Sequence, residues 1–532
     1  MNIFEQVLDQ KNEVTLANVY AFGAYSDTKP ALLCGDDVLS YRQYFEHTLK
    51  LASYLDRKLA LPGCRVMLVI EDGFSFAISF FGTVTSGAIA VPVDPLIGEL
   101  ELHHMISVVE PTLILASPES MDKVIRVIAE QKSGTANFSP EVICMADSSG
   151  TRIGNAEIAK QEIDHALAHR PMNEIAYCLF SSGTTGKPKA IAHSFTDLMH
   201  CAEAYAADVM CLQESDIVMA IPKHTFGYAL GGNLVFSLLY KSTSVLFPER
   251  STSDRVLHNI EKYGVTILLA QPRIIAEILN REDNRAATRG NIRMLMSAGE
   301  SLSESILARW TAVSDVPLVE GFGSTEVGHI FISNHAEDVR PGIVGKGLRG
   351  YELKLIDNDG DLIENDDIPG RLCIRCPSLF KKYWANPEKT AEAIREGWYI
   401  SSDLFKRRDS GWVYVGRHDD MIKTGCGEWV SPYEIENLVL TSEAVLECAA
   451  VGFRNAAGVV VLKVIIVPTG ESPDLEAIEA QVVADSAAKW PMHPHKHIKV
   501  VGFVDALPRG STGKLQRSQL ESVTLNEYSY DC

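Results

Sequence analysis

The sequence predicts an α/β protein. A large N-terminal domain of sheets covered on both faces is followed by a β subdomain and a small α+β C-terminal domain. Three observations lead there. The chain has 532 residues, more than one hydrophobic core ordinarily serves. Short apolar runs alternate with helical patterns through most of it, as strands of a parallel sheet do when both faces are buried. Two Gly-rich, charged stretches, Gly416 to Gly427 and Leu507 to Lys514, read as connections around a smaller unit.

The elements follow in chain order. Arg65 to Ile70 (RVMLVI) reads as a buried strand. Phe74 to Val93 is the most apolar window, but it contains Ser75, Ser79, Gly82, Thr83, Thr85, Ser86, Gly87 and Pro92. That composition suits a buried helix running into a buried strand better than a membrane span. Thr112 to Ala116, Asp216 to Ala220, Ser244 to Phe247 and Thr266 to Ala270 are further buried strands. The texture changes at Tyr351. Tyr351 to Ile356 alternates, Asn358-Asp359-Gly360 is a turn, and Arg371 to Ile374 is another strand, which makes a β subdomain. Beyond Gly427 come a helix from Pro432 to Leu440, strands near Val445 to Gly452 and Val459 to Ile466, and a helix from Asp474 to Ala488. The main boundary is placed near Asp419, dividing the chain into residues 1–418 and 419–532. The last dozen residues, Glu521 to Cys532, are polar and expected to fray.

Composition excludes several functions. The chain is 46% hydrophobic and 22% charged, as soluble globular proteins are, and its formal net charge is −20. That balance argues against sequence-independent nucleic-acid binding and against attraction to anionic lipid. An anionic ligand would need local N–H groups and a few Lys or Arg working against the overall field. The first residues, MNIFEQVLDQ, carry Glu5 and Asp9 where a secretion signal needs positive charge. The odd number of Cys, eleven, reads as reduced thiols, so a cytoplasmic protein is expected.

The densest chemical signal is Phe180 to Lys189, FSSGTTGKPK. Gly183 and Gly186 let the backbone approach a ligand, and successive N–H groups make an anion-binding nest. Ser181, Ser182, Thr184 and Thr185 add donors, and Lys187 and Lys189 add charge. The plain alternative is a surface turn. A nucleotide-triphosphatase loop does not fit, because Gly183 and Gly186 have two residues between them rather than four. Pro188 also stands where that loop needs the hydroxyl that holds magnesium, and it would interrupt the helix that should follow. The segment instead resembles the signature loop of the adenylate-forming superfamily, which includes acyl- and aryl-CoA ligases, carrier-protein adenylation domains and firefly luciferase. Ala190 replaces the Gly usual at its end.

Further motifs resemble that superfamily in order and spacing, from about Tyr41 to Arg517. Ser297-Ala298-Gly299-Glu300 resembles the loop that lies against the adenosine. Glu320 to Glu326 (EGFGSTE) resembles the next motif. There the resemblance implies that Glu320, Gly321, Phe322, Gly323 and Ser324 flank the adenine and the acyl group. Thr325 would touch the α-phosphate and Glu326 would hold Mg²⁺. Read alone, Glu326 is equally a carboxylate at a helix start. Gly397 to Asp403 (GWYISSD) resembles the ribose motif, with Asp403 as ligand and Ser402 where Gly is usual. Gly416 to Asp420 (GRHDD) resembles the hinge motif, with Arg417 reaching ribose or phosphates and Asp419 as pivot. Read alone, Asp419 and Asp420 are a solvated pair. Leu507 to Lys514 (LPRGSTGK) resembles the C-terminal catalytic loop, with Lys514 as its lysine.

The resemblance implies the chemistry. ATP and an acid would form an acyl-adenylate and pyrophosphate, with Lys514 bridging the incoming carboxylate and the α-phosphate. The small mobile domain would then rotate about Asp419 and bring Lys423 to Glu428 to the site, with Lys423, Gly425 and Gly427 on the thioester face. Coenzyme A would take the acyl group and AMP would leave. Relatives read IKTGGEW there; this chain reads IKTGCGEW, with Cys426 inserted, and no catalytic role follows for that thiol.

Two stretches resemble the benzoate– and anthranilate–CoA ligase branch. They are Pro222 to Gly231 (PKHTFGYALG) and Gly323 to Asn334 (GSTEVGHIFISN). Phe226, Gly227 and Tyr228 would form one wall of a flat slot, with Ala298, Gly323, His329 and Ile330 near the carboxylate and ring. The alternative is that Phe226, Tyr228 and His329 are ordinary core. His224 falls on a usually apolar position and is given no gating role. The Cys373-x2-Cys376 pair and the trio His493, His495 and His497 are discounted as metal sites, having no second pair or supporting context.

The expectation is therefore an AMP-forming aryl-CoA ligase using ATP, Mg²⁺ and CoA, acting on a benzoate-type acid that may carry an amino or hydroxyl group. It would be a monomer or homodimer with no nucleic-acid or membrane partner. Its nearest alternative loads the aryl group onto a separate carrier protein. A luciferase-like monooxygenase and a non-catalytic binding protein are the other classes, and the intact set Lys187, Glu326, Asp403, Arg417 and Lys514 argues against a dead enzyme.

Overall fold

The structure is a computed structural model. It describes residues 28–59, 63–132, 139–145, 155–169, 174–181, 187–281, 291–408, 411–455, 457–470, 472–509, 515–520 and 526–529. Two sheets dominate the N-terminal part. Among the described residues, one has nine strands, with Leu318–Gly323, Met294–Ser297, Ile267–Ala270 and Ile217–Ala220 adjacent along it. The other has seven, in the order Lys382–Tyr383, Lys189–Ser194, Ile175–Ser181, Ile89–Pro92, Arg65–Val69, Leu113–Ala116 and Glu141–Cys144. Their inner strands run parallel, and antiparallel hairpins close their site-facing ends.

The alternation of side chains explains why these strands read as unbroken apolar runs. Val66 and Leu68 enter the central core, while Met67 and Val69 enter an outer one. In the second sheet, Ile267 and Leu269 face the central core, and Leu268 and Ala270 face the other side. With both faces buried, no polar alternation is left to see. Helices Tyr41–Leu59 and Phe74–Thr85 sit in the central layer between the sheets, and Phe74–Thr85 is buried along its whole length. Ser253–Tyr263, Pro272–Leu279 and Glu304–Val313 cover one outer face; Glu99–Val109 and Pro118–Lys132 cover the other. Thr252 caps the first of these helices through Arg255 N, and Gly264 ends it in the left-handed region. The apolar window Phe74 to Val93 is thus helix, then the strand Ile89–Pro92, and no helix among the described residues is long and apolar enough to cross a membrane.

The β subdomain contains Glu352–Ile356, Gly370–Arg375, Trp398–Arg408 and Gly411–Arg417. Its last hairpin sets Asp403 opposite Arg417. The C-terminal sheet runs Val445–Arg454, Val460–Pro468, Ile498–Phe503 and Asn526–Ser529. Helices Pro432–Val439 and Leu475–Lys489 bury one face of it. One expectation is corrected here. The tail does not simply fray: Asn526–Ser529 pairs antiparallel with Ile498–Phe503, whose open edge offers backbone donors and acceptors to any strand that can reach it. Residues 521–525 and 530–532 lie outside the described residues. Every cysteine among the described residues is free.

Candidate active site

A cleft of roughly 1450 Å³ lies between the N-terminal sheets, the β subdomain and the C-terminal sheet. The hairpin Ile175–Ser181/Lys189–Ser194 delivers its tip there, with Ser181 paired to Lys189. Ser182, Gly183, Thr184, Thr185 and Gly186 form the connection and lie outside the described residues. Lys187 is exposed. Lys189 is half-buried with Nζ 5.0 Å from the Tyr383 ring centre. Burial pulls its ammonium below the ordinary lysine value, and the Glu326 carboxylate opposes that shift.

Strand Leu318–Gly323 carries the next group into the cleft. Glu320, Gly321, Phe322, Gly323, Ser324, Thr325 and Glu326 all line it. Glu320 accepts the Leu302 amide over 2.9 Å, and burial pushes its carboxyl up to about 7. Phe322 packs edge-on against Phe405, centroids 4.9 Å apart. Gly323 has no room for a side chain, since a Cβ there would stand 2.5 Å from the His329 carbonyl oxygen. The Ser324 hydroxyl has no hydrogen-bond partner. Thr325 and Glu326 form a short 3₁₀ turn. Glu326 is 9% exposed and accepts the Tyr383 hydroxyl at 3.0 Å. Gly299 and Glu300 also line the cleft, whereas Ala298 is wholly buried behind them.

Asp403 and Arg417 close the floor as register partners. Arg417 Nη2 stands 3.8 Å from Asp419 Oδ2, and its buried Nε has no partner. Burial works against the guanidinium charge, but Asp403 and Asp420 more than offset it and raise its pKa. Gly416 is fixed by close approach, because a Cβ would meet Ser431 Oγ at 2.9 Å. Asp419 and Lys423 line the cleft as well. Gly425 and Gly427 belong to the neighbouring loop, bonded to the Val460 and Thr424 carbonyls at 2.9 Å each. Cys426 in that loop is exposed, and the Thr424 hydroxyl at 3.1 Å lowers its thiol pKa.

Lys514 lies outside the described residues. Its loop is anchored on both sides. Arg509 bridges to Leu515, Gln516 N bonds Pro508 O at 2.9 Å, and Arg509 and Leu515 both line the cleft. Arg509 pairs with Glu300 across the cleft and with Glu447 of the C-terminal sheet at 2.8 Å. Arg517 grips Glu436 with two nitrogens, at 2.5 and 2.9 Å.

The expected acid-slot residues gather behind the strand Leu318–Gly323. Phe226, Gly227, Tyr228, His329 and Ile330 are not among the described residues that line the cleft itself. His329 is 3% exposed, and its Nε2 meets the Tyr228 carbonyl at 3.1 Å. The rings of Tyr205, Tyr228 and Phe236 surround it at 5.0, 5.8 and 4.7 Å. Burial pulls the imidazole down to about 4, so it is neutral at pH 7. A carbonyl can only accept, so Nε2 carries the hydrogen and Nδ1 is a bare acceptor with no partner. Gly227 is half-buried, and a Cβ there would meet the Gly328 carbonyl at 2.8 Å.

Tyr383, His193, Tyr205 and Arg509 have structural parts that sequence reasoning missed. Arg509 stood inside a quoted motif without a role. The other three have no spacing signature, because their partners lie far away in the chain.

Comparison with known proteins now decides the family. Residues 22–384 match the AMP-binding enzyme family, and residues 434–514 match the AMP-binding enzyme C-terminal domain. The chain belongs to the AMP-binding enzyme family. Within that family it is 34% identical over 501 residues to a benzoate–CoA ligase of Thauera aromatica, covering 92% of each chain. The crystal structure of the anthranilate CoA ligase AuaEII with anthranoyl-AMP superposes with a TM-score of 0.89 at 29% identity, covering 97% of this chain and 98% of that one. A benzoate CoA ligase from Burkholderia xenovorans LB400 gives a TM-score of 0.86 at 28% identity, covering 95% and 99%.

Proposed function

We propose that this member of the family is an ATP-dependent aryl-CoA ligase. The observation that carries the proposal is that Lys189, Thr325, Glu326, Asp403 and Arg417, drawn from three sheets, line one cleft. The acid carboxylate attacks the α-phosphorus of ATP, the bond to pyrophosphate breaks, and an aryl-adenylate forms. The thiol of CoA then attacks the acyl carbon, loses its proton and displaces AMP. Two anions must meet in the first step, so positioning and positive charge do the work.

The chain's own groups divide that task. Ser181 and the loop through Gly186, with Lys187 and Lys189, hold the β- and γ-phosphates. Gly299, Glu300 and the backbone of Gly321 to Ser324 flank the adenine, with Glu320 beneath them. Asp403 accepts the ribose hydroxyls, and Arg417 reaches ribose or phosphate. Thr325 donates to the α-phosphate. Glu326 and the Thr325 hydroxyl are hard oxygen donors beside that position, so the residues fit Mg²⁺ with phosphate oxygens as its other ligands. Mg²⁺ bound there supplies the charge that screens the polyphosphate. Lys514 serves the adenylation step. Residues 1–418 and 419–532 are the two moving parts, Asp419 is the pivot, and Lys423, Gly425 and Gly427 form the thioester face.

Phe226, Gly227, Tyr228, Ala298, Gly323, His329 and Ile330 make the acid site. The partnerless acceptor at His329 Nδ1 favours an acid whose ring carries a hydrogen-donating amino or hydroxyl group. Coenzyme A is favoured over a carrier protein as acceptor, because the relatives compared are named CoA ligases. The test is mass spectrometry of thioesters formed from ATP, Mg²⁺, CoA and a panel of benzoates, aminobenzoates, hydroxybenzoates and aliphatic acids. An aryl-CoA peak with a best aromatic acid supports the proposal; an aliphatic thioester as best product overturns it.

A further inference from the structure

Three successive carbonyls of the turn at Thr325–Val327 each accept from a residue outside the turn, and Val327 O also takes a longer bond from Cys201 Sγ at 3.7 Å. Glu326 O accepts from Phe380 N at 2.8 Å, and Val327 O accepts from Ser378 Oγ at 2.8 Å. Thr325 O is met by His193 Nε2 at 2.7 Å and also accepts the Gly328 amide of the turn itself at 3.2 Å. His193 comes from the strand Lys189–Ser194, which presents Lys189 to the cleft at its other end. Its ring is fully buried and stacks on Tyr177, 5.4 Å between centroids and 14° between planes. It therefore reaches no ligand.

The donor logic fixes how the ring acts. A carbonyl oxygen accepts only, so Nε2 must donate to Thr325. Nδ1 lies 3.0 Å from Asp197 Oδ2; a carboxylate likewise only accepts, so both ring nitrogens donate, and Asp197 holds the ring plane from behind. Asp197 is itself saturated. It accepts from Ser194 N at 3.0 Å, from Ser194 Oγ at 2.7 Å and from Lys381 Nζ at 2.8 Å. Lys381 sits in the segment that carries Ser378, Phe380 and Tyr383, the other groups holding the turn. The Asp197 bonds to Ser194 are an ordinary helix capping box and need no histidine. The bond from Nε2 is separate from that box. It is spent on Thr325, whose side chain touches the α-phosphate in the reading proposed above.

We infer that His193 is a positioning residue for nucleotide and metal, setting the Thr325–Glu326 turn through the Thr325 carbonyl with Asp197 and Lys381 behind it. The inference rests on the reading of Thr325 and Glu326 given above. A turn displaced by about an ångström would cost on the order of 10²-fold in rate.

The experiment compares His193→Gln, His193→Asn and His193→Phe in the full chain. Gln can place an amide donor near the Nε2 position, Asn reaches only toward Asp197, and Phe keeps the stack on Tyr177 without a donor. Three readouts are taken: acid-dependent pyrophosphate release without CoA, the KM of the aryl acid, and Mg²⁺·ATP affinity by calorimetry. His193→Asn and His193→Phe are expected to lose about 10²-fold in kcat and about tenfold in Mg²⁺·ATP affinity, with acid KM within about twofold of wild type. His193→Gln is expected to stay within about fivefold on every readout. Equal losses in Gln and Asn, or unchanged Mg²⁺·ATP affinity in Asn, overturn the inference. If His193→Phe does not fold, the Gln and Asn pair decides alone. A wild-type chain that releases no pyrophosphate with any acid would instead overturn the functional reading beneath it.

Discussion

Tyr383 donates its hydroxyl hydrogen to Glu326 Oε1 across 3.0 Å, and both side chains line the same cleft. The bond fixes one carboxylate oxygen, and in the proposed reading the other is the one that would face Mg²⁺. It also sets the Tyr383 ring beneath the Lys189 ammonium. Tyr383→Phe keeps the ring and removes the donor, so a loss of about tenfold in adenylation is expected, together with a higher Mg²⁺ requirement. Glu326→Gln should lose 10²-fold or so by removing the charge itself. Magnesium titrations of both variants check this ordering; Tyr383→Phe behaving as wild type at limiting Mg²⁺ contradicts it.

Arg509 joins Glu300 of the N-terminal part to Glu447 of the C-terminal sheet at the base of the loop that ends in Lys514. Partly buried charge pairs of this kind hold orientation more than they add stability. Arg509→Gln should slow adenylate formation by about tenfold and spare thioester formation from a synthetic aryl-adenylate. Equal loss in both half-reactions would show that Arg509 does more than hold the cleft closed for the first.

Lys514 and Asp419 separate the two half-reactions in the opposite sense. Lys514→Ala should abolish adenylate formation while preformed aryl-adenylate still reacts with CoA. Asp419→Pro restricts the backbone at the proposed pivot. It should leave pyrophosphate release intact and block the thioester. Rapid-quench assays of each step measure both, and normal thioester output from Asp419→Pro would remove the hinge from the account.

Glu320 supplies a pH signature. Burial raises its carboxyl from 4.5 to about 7 in the fold. In the unfolded chain it ionises first, so its stabilising share is complete below pH 4.5 and is lost as pH rises through about 7. Glu320→Gln removes that dependence. Melting temperatures across the range are expected to show the wild type falling relative to the variant as pH rises from about 5 to about 8. Parallel curves contradict the assignment.

Much of this fold is legible in the sequence because its central strands are buried on both faces. Arg65 to Ile70 and Thr266 to Ala270 read as apolar runs for that reason, and they appear as Arg65–Val69 and Ile267–Ala270. The helix-then-strand reading of Phe74 to Val93 holds because its hydroxyls and glycine are small enough to pack inside. The π-helical turns Ala202–Ala207 and Leu230–Val235 are not legible, since such single-turn insertions leave no periodicity in six residues. The motifs mark the cleft because backbone approach to phosphate demands Gly and hydroxyl residues at fixed spacing. The groups that hold those motifs in place are invisible. His193 is 132 residues from Thr325, and Tyr383 is 57 from Glu326, so only the folded sheets bring them together. Gly227 shows a further limit. It reads as part of one wall of a flat slot, but the close approach of the Gly328 carbonyl, which a Cβ would meet at 2.8 Å, has no trace in the sequence.

The central claim is that one cleft activates an aromatic acid with ATP and then passes it to CoA. Acid-dependent exchange of labelled pyrophosphate into ATP without CoA, followed by addition of CoA and mass spectrometry of the same sample, tests both steps at once. The account predicts exchange with a benzoate-type acid, and conversion to its CoA thioester with release of AMP when CoA is added. Exchange with no aromatic acid, or an adenylate that CoA leaves untouched, would contradict it.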